Sequence, residues 1–179
     1  CRGGASGRTI INPASGKIVK MNHEQGYYSL IKVLGLIGNE LVFATLDRLA
    51  GAGPLMSPPR YTEKISGKPD QLSVSTEFVA IAMRSFKSLC CLDHRSGKIL
   101  WSKPYPWSVL DDDGQRILVV GKGLWMLESN GDLKCIDAKS GRQLFVIEGT
   151  FSREFGLVKF GSSVIVASAN TLWSIDFSK

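Results

Sequence analysis

The sequence predicts an all-β fold of about four repeated units, each of four antiparallel strands. Three observations carry this expectation. Apolar runs of strand length recur at Leu41–Ala44, Val79–Ala82, Ile117–Val120 and Val164–Ala167, with centres 38, 38 and 47 residues apart. Turn-forming pairs fall between the runs: Gly38-Asn39, Asp113-Gly114, Asn130-Gly131 and Gly161-Ser162. Helical periodicity is absent almost everywhere. Continuous apolar runs of this length read as strands buried on both faces. Sheets stacked face to face around an axis bury their middle strands in this way. A period of about 40 residues is that of the blades of a β-propeller.

The 179 residues make one domain, 1–179, with enough chain to bury a core. The first unit is expected over 28–70. It is degenerate, because Leu49–Tyr61 is rich in Gly and Pro and reads as an excursion loop. Its turn motif survives only as Glu63-Lys64-Ile65-Ser66-Gly67. The second and third units are expected over 72–103 and 107–148. The last runs over 155–179 and is completed by 9–20, which supplies a turn and a closing strand.

The units share a motif. Cys91-Leu92-Asp93-His94-Arg95-Ser96-Gly97 runs on to Trp101, and Cys135-Ile136-Asp137-Ala138-Lys139-Ser140-Gly141 runs on to Phe145. Asp93 and Asp137 are 44 residues apart, and Asp176 begins a further copy 39 residues on. Ile10-Ile11-Asn12-Pro13-Ala14-Ser15-Gly16 is a copy with Asn for Asp. The physical reading is direct. The Asp at a strand end accepts hydrogen bonds from the backbone of the turn that follows. The Gly supplies a positive φ. The aromatic four residues later starts the next strand and packs between neighbouring blades.

This motif resembles the tryptophan-docking repeat, Ala-x-Asp-x-x-Thr-Gly-x-x-x-Trp, of the quinoprotein-like β-propellers. Cys91, Asp93, Ser96, Gly97 and Trp101 match it with Cys for Ala and Ser for Thr. The copy at Cys135 has Phe145 for Trp. The absence of Trp-Asp and Gly-His pairs speaks against a WD40-type repeat. Members of the resembled superfamily usually have seven or eight blades. The resemblance therefore leaves three arrangements: a small closed propeller, half of a dimeric ring (a homodimer), or a fragment of a larger propeller.

Chemistry-bearing residues are sparse. Cys90-Cys91 is reminiscent of the vicinal disulfide over the quinone of quinoprotein dehydrogenases, but strand alternation puts the two side chains on opposite faces. Buried free thiols are expected. No ligand set for a quinone-bound calcium is found, and neither a metal nor a cofactor is expected. Asp111-Asp112-Asp113-Gly114 lacks the alternating spacing of a calcium loop and reads as a turn. His94, in the docking turn, and His23, beside Glu24, read as surface histidines without a nucleophile to serve. Catalytic residues: none.

Binding residues are sought in the excursion loop. Pro58-Pro59-Arg60-Tyr61 has the Pro-Pro-x-Tyr pattern that WW domains take as an extended ligand. Trp107 is the candidate for an exposed contact aromatic. The net charge of +6, from 22 basic and 16 acidic residues, favours an acidic partner, an anionic surface or RNA. The basic residues are scattered, without the cluster that marks a nucleic-acid surface, so nucleic acid is the lesser alternative. No apolar stretch is long enough to span a membrane.

The reading is a noncatalytic, protein-interaction propeller that binds a protein partner through its rim loops. One alternative is a fragment of a quinone-dependent dehydrogenase. Another takes Cys1 as the lipidated residue of an outer-membrane-assembly lipoprotein. Free internal thiols favour the cytoplasm slightly over the periplasm, as a soluble chain.

Overall fold

The computed structural model describes residues 9–11, 18–20, 31–45, 49–54, 59–83, 88–104, 115–128, 130–151, 156–161, 163–167 and 171–176. Every regular element among them is a strand. Three four-stranded antiparallel meanders follow one another: β3 (Ile31–Ile37), β4 (Glu40–Thr45), β5 (Leu49–Pro54) and β6 (Tyr61–Lys64); β7 (Gln71–Val74), β8 (Phe78–Met83), β9 (Ser88–Asp93) and β10 (Ile99–Pro104); β11 (Ile117–Val120), β12 (Gly123–Leu127), β13 (Leu133–Asp137) and β14 (Gln143–Ile147). A three-stranded sheet completes the series: β15 (Gly156–Phe160), β16 (Ser163–Ala167) and β17 (Leu172–Asp176). These four sheets are blades one to four.

The first strands of the blades line up, β3 beside β7, β7 beside β11 and β11 beside β15. Hydrogen bonds tie them across the seams. Val119 N donates to the buried Ser73 Oγ (2.8 Å), Arg116 N to Gln71 Oε1 (2.7 Å) and Leu157 N to Gln115 O (2.8 Å).

Between the sheets lie three apolar layers, set by the two-residue alternation of the middle strands. Val79, Ile81 and Met83 of β8 face blade one, where they meet Val42, Ala44, Ala50 and Ala52. Ala80 and Ala82 of the same strand face blade three, where they meet Ile117, Val119, Leu124 and Met126. Trp125, Leu127, Leu133 and Cys135 pack against Phe151, Leu157, Val164 and Val166. Cys90 falls in the first layer and Cys91 in the second, on opposite faces of β9.

Two expectations are corrected. Residues 49–54 are not part of an excursion loop; they form β5, paired to β4 and β6. The glycine at 51 reflects close approach. A Cβ on Gly51 would lie 2.6 Å from the Phe43 ring and 2.9 Å from Tyr61 O, so only a residue without one fits. Nor does 9–20 add a closing strand to the last blade. β1 (Thr9–Ile11) and β2 (Ile18–Lys20) pair with each other in a two-stranded sheet, and the sheet of β15 holds three strands. The register Ile11↔Ile18 repeats the separation of Leu92↔Ile99 in blade two. No helix among the described residues is long and apolar enough to cross a membrane.

Candidate functional site

Each docking turn is built from its own side chains. Asp93 Oδ1 accepts from Ser96 N (2.7 Å) and Ser96 Oγ (2.7 Å), while Gly97 N donates to Asp93 O (2.8 Å) at φ 76°. The turn at Asp137 is its duplicate: Ser140 N (2.7 Å) and Oγ (2.6 Å) reach Oδ1, and Gly141 has φ 69°. Hydrogen bonds from the serine hydroxyl, then from its backbone N–H, hold both carboxyls below the usual aspartate range. Asp176 ends β17, and the turn after it lies outside the described residues.

The aromatic of one blade sits on the turn glycine of the next. Trp101 covers Gly141, donates its indole N–H to Ala138 O (2.8 Å), and lies 5.8 Å from Lys103 Nζ, which itself donates to Gly141 O (2.7 Å). Tyr61 covers Gly97 so closely that a Cβ there would lie 2.1 Å from its ring. Tyr61 is therefore the docking aromatic of blade one, and burial pushes its phenol up to about 12. Phe145, the third in the series, is 39 % exposed and stacks edge-on to Trp125 at 5.1 Å.

This geometry relocates the Pro-Pro-x-Tyr segment. Tyr61 is half-buried in the seam between blades one and two. The Arg60 guanidinium, 5.7 Å from its ring, pairs with Glu40 and donates to His94 O (2.9 Å) and Arg95 O (3.2 Å). Pro59 is half-buried; Pro58 and Trp107 lie outside the described residues, as do Cys1, His23 and Asp111–Gly114.

His94 is not a surface residue. It is 5 % exposed, its backbone N–H donates to Glu77 O (2.8 Å), and its ring is wedged between the turns of two blades. Nε2 lies 3.2 Å from Glu40 Oε2 and Nδ1 3.4 Å from Thr76 O. The Nε2 contact has ion-pair distance without hydrogen-bond alignment, so it is a proximity of ring nitrogen and carboxylate.

Above this cluster opens a cleft of about 450 Å³, lined by Ile37, Glu40, Arg60, Thr76, His94 and Arg95. A second cleft of about 260 Å³ follows over the next seam, lined by Thr76, Glu77, Asp93, Arg95, Leu100 and Lys139 among others. Thr76 and Arg95 line both, so the two form one groove along the rim that carries the docking turns. Arg60, Glu40 and the turn of His94 occupy one seam, while Leu100 and Ala138 hold the positions of Arg60 and His94 in the next. Of these two seams, the first alone carries the charged cluster.

Cys90, Cys91 and Cys135 are buried free thiols, each pushed up to about 12 chiefly by burial. Among the described residues, no group of three or more His, Cys, Asp or Glu is placed to hold a metal ion.

A scan against protein-family models finds no match, and neither does a comparison with curated protein sequences. Solved structures do match. BamB from Moraxella catarrhalis superposes with a TM-score of 0.62 at 10 % identity, over 83 % of this chain and 47 % of its own. Sqt1 from Saccharomyces cerevisiae gives 0.61 at 14 % identity, over 90 % and 50 %. BBS1N, solved in complex with ARL6DN, gives 0.64 at 15 % identity, over 93 % and 56 %. These are β-propeller proteins, and the chain described here has the β-propeller fold. It spans about half the length of the BamB and Sqt1 chains it matches.

Proposed function

We propose that this chain is a noncatalytic interaction propeller of the quinoprotein-like type, which binds a protein partner through the rim of its docking turns. The observation that carries the reading is the groove over the first two seams. It is open, it is lined by charged side chains, and its floor is fixed by the Glu40–Arg60–His94 cluster. A preformed groove on a rigid sheet scaffold, apolar over much of its wall and charged at its floor, suits a recognition surface. The repeat type is supported by the way Tyr61 and Trp101 dock on Gly97 and Gly141. The noncatalytic reading is supported by the uses to which reactive side chains are put. Asp93 and Asp137 close their own turns, and the three described thiols face apolar layers. BBS1N, a propeller of similar fold, was solved with a protein partner bound.

A photo-crosslinking amino acid at Asn39 or Lys122, on the groove rim, tests the proposal against the same probe at Lys68 or Glu148, on the opposite rim. The expected result, in the cells that naturally make the protein, is a discrete protein adduct from the first pair alone. Adducts of equal yield from both rims, or from neither, would overturn it.

A further inference from the structure

We infer that the open edge of blade four takes up a single extended strand from a protein partner, one that carries a glycine followed four residues later by an aromatic. The inference is independent of the rim groove and concerns a different surface.

The edge is that of β17. In blades one to three the third strand has neighbours on both sides, and the fourth runs antiparallel to it: β6 on β5, β10 on β9, β14 on β13. Among the described residues, β17 pairs with β16 alone. Its side chains show the difference. Leu89 and Cys90 of β9 are 2 % and 1 % exposed, whereas Leu172 and Trp173, at the same distance from their own strand's Asp, are 73 % and 45 % exposed. Trp173 faces blade three, edge-on to Phe151 at 5.9 Å, so its exposure comes from the open edge rather than from the far face of the sheet. Free edges are ordinarily guarded by Lys or Pro. β10 ends in Lys103-Pro104, while β17, Leu-Trp-Ser-Ile-Asp, has neither. An apolar, unguarded edge is a template for main-chain hydrogen bonds from an added strand.

The repeat defines what that strand must carry. The fourth strand of a blade projects over the next blade: Trp101 covers Gly141, and Lys103 Nζ donates to Gly141 O (2.7 Å). A Cβ at Gly97 or Gly141 would stand 2.1 or 2.9 Å from the aromatic ring above it, so the seat suits glycine. Phe145 holds the same place on β14, over blade four, and is 39 % exposed. A strand that fills the edge beneath it therefore needs a glycine under Phe145. From Gly97 and Gly141 the chain reaches Trp101 and Phe145 four residues on, opposite Cys91 and Cys135. Ser174 is the position of β17 that matches these cysteines. The aromatic of the added strand thus stands opposite Ser174, on the face of the exposed Leu172. The same overhang decides against a second copy as the occupant. Joining two β17 edges about a two-fold axis would bring both β14 strands over the one junction. A lone strand brings no such neighbour.

The test uses the full chain and a fluorescein-labelled peptide copied from Ser96–Pro104, Ser-Gly-Lys-Ile-Leu-Trp-Ser-Lys-Pro. Fluorescence anisotropy reads binding, and amide hydrogen exchange reads its place. The expected result is saturable binding, with new protection centred on the β17 amides that face away from β16. Binding should weaken about tenfold or more when the peptide carries Gly97→Val, because a side chain there meets the Phe145 ring. This change leaves the protein untouched, so misfolding cannot mimic it. With Phe145→Ser in the chain the two peptides should bind alike, since the excluding ring is gone. Any of four results overturns the inference: no saturable binding, equal binding of both peptides by the parent chain, protection centred elsewhere than β17, or the same β17 amides already protected in the chain alone. In the last case protection that rises with protein concentration assigns the edge to a second copy, and constant protection assigns it to another part of the same chain.

Discussion

Replacing Gly97 by Ala probes the contact that joins blades one and two. The substitution has two separable costs. Gly97 has φ 76°, and an L-residue held in that region costs about 1–2 kcal/mol. The new Cβ would also stand 2.1 Å from Tyr61 Cδ2 and 2.4 Å from Cγ. The near edge of the ring is struck, so the whole side chain must leave its seat, at the cost of about 1–3 kcal/mol typical of overpacking. Gly38 is the control, with φ 54° and nothing within 4 Å of the point where a Cβ would stand. Gly38→Ala therefore carries the backbone cost alone. Urea unfolding followed by tryptophan fluorescence should give about 2–5 kcal/mol for Gly97→Ala and about 1–2 for Gly38→Ala. In a Tyr61→Ala background the Gly97→Ala cost should fall to the Gly38 level, because the clashing ring is gone. Equal costs for the two glycine variants, or strict additivity in the cycle, would refute docking of Tyr61 on Gly97.

Trp101→Phe removes the indole donor to Ala138 O and should cost about 1 kcal/mol, read by the same unfolding assay. In a Cys1→Ser chain, the three described thiols should resist a disulfide reagent at pH 8 and react once urea unfolds the protein, because burial pushes each to about 12 and suppresses the thiolate; prompt reaction of the native chain would contradict their placement. Ser96→Ala and Ser140→Ala should raise the Asp93 and Asp137 carboxyl titrations toward the ordinary aspartate value, as followed by NMR. The folded carboxyls titrate below the unfolded ones, so they stabilise the fold above the unfolded value of about 3.9 and lose this as pH falls through the folded one. The penalty of each serine variant should accordingly be largest near neutral pH and shrink as the aspartates protonate.

Much of the fold was legible because a propeller is local and repetitive. Each blade is a meander whose apolar runs, turn pairs and Asp-x-x-Ser-Gly motif recur in order along the chain. Period-2 alternation alone was enough to send Cys90 and Cys91 to different layers. Blade one escaped in part. β5 reads Leu-Ala-Gly-Ala-Gly-Pro, without the β-branched residues that mark a strand, and at Gly51 the Phe43 ring and the Tyr61 carbonyl leave no room for a Cβ. Tyr61 was visible as a motif residue but not as a docking aromatic, since blade one lacks the Asp-Gly turn that would have set the count. A comparison of its position with Trp101 and Phe145 was the available signal.

What the chain settles by itself is therefore the unit: the order of strands, the chemistry of the turn and the faces that seek burial. These depend on neighbours a few residues apart. The groove was settled only in three dimensions. Glu40, Arg60 and His94 come from different turns of two blades, and nothing in their spacing announces that they meet. Stacking the sheets brought them together and buried an imidazole that reads as a surface residue. Interactions between blades depend on how sheets pack, and packing is a property of the assembled layers rather than of any one repeat.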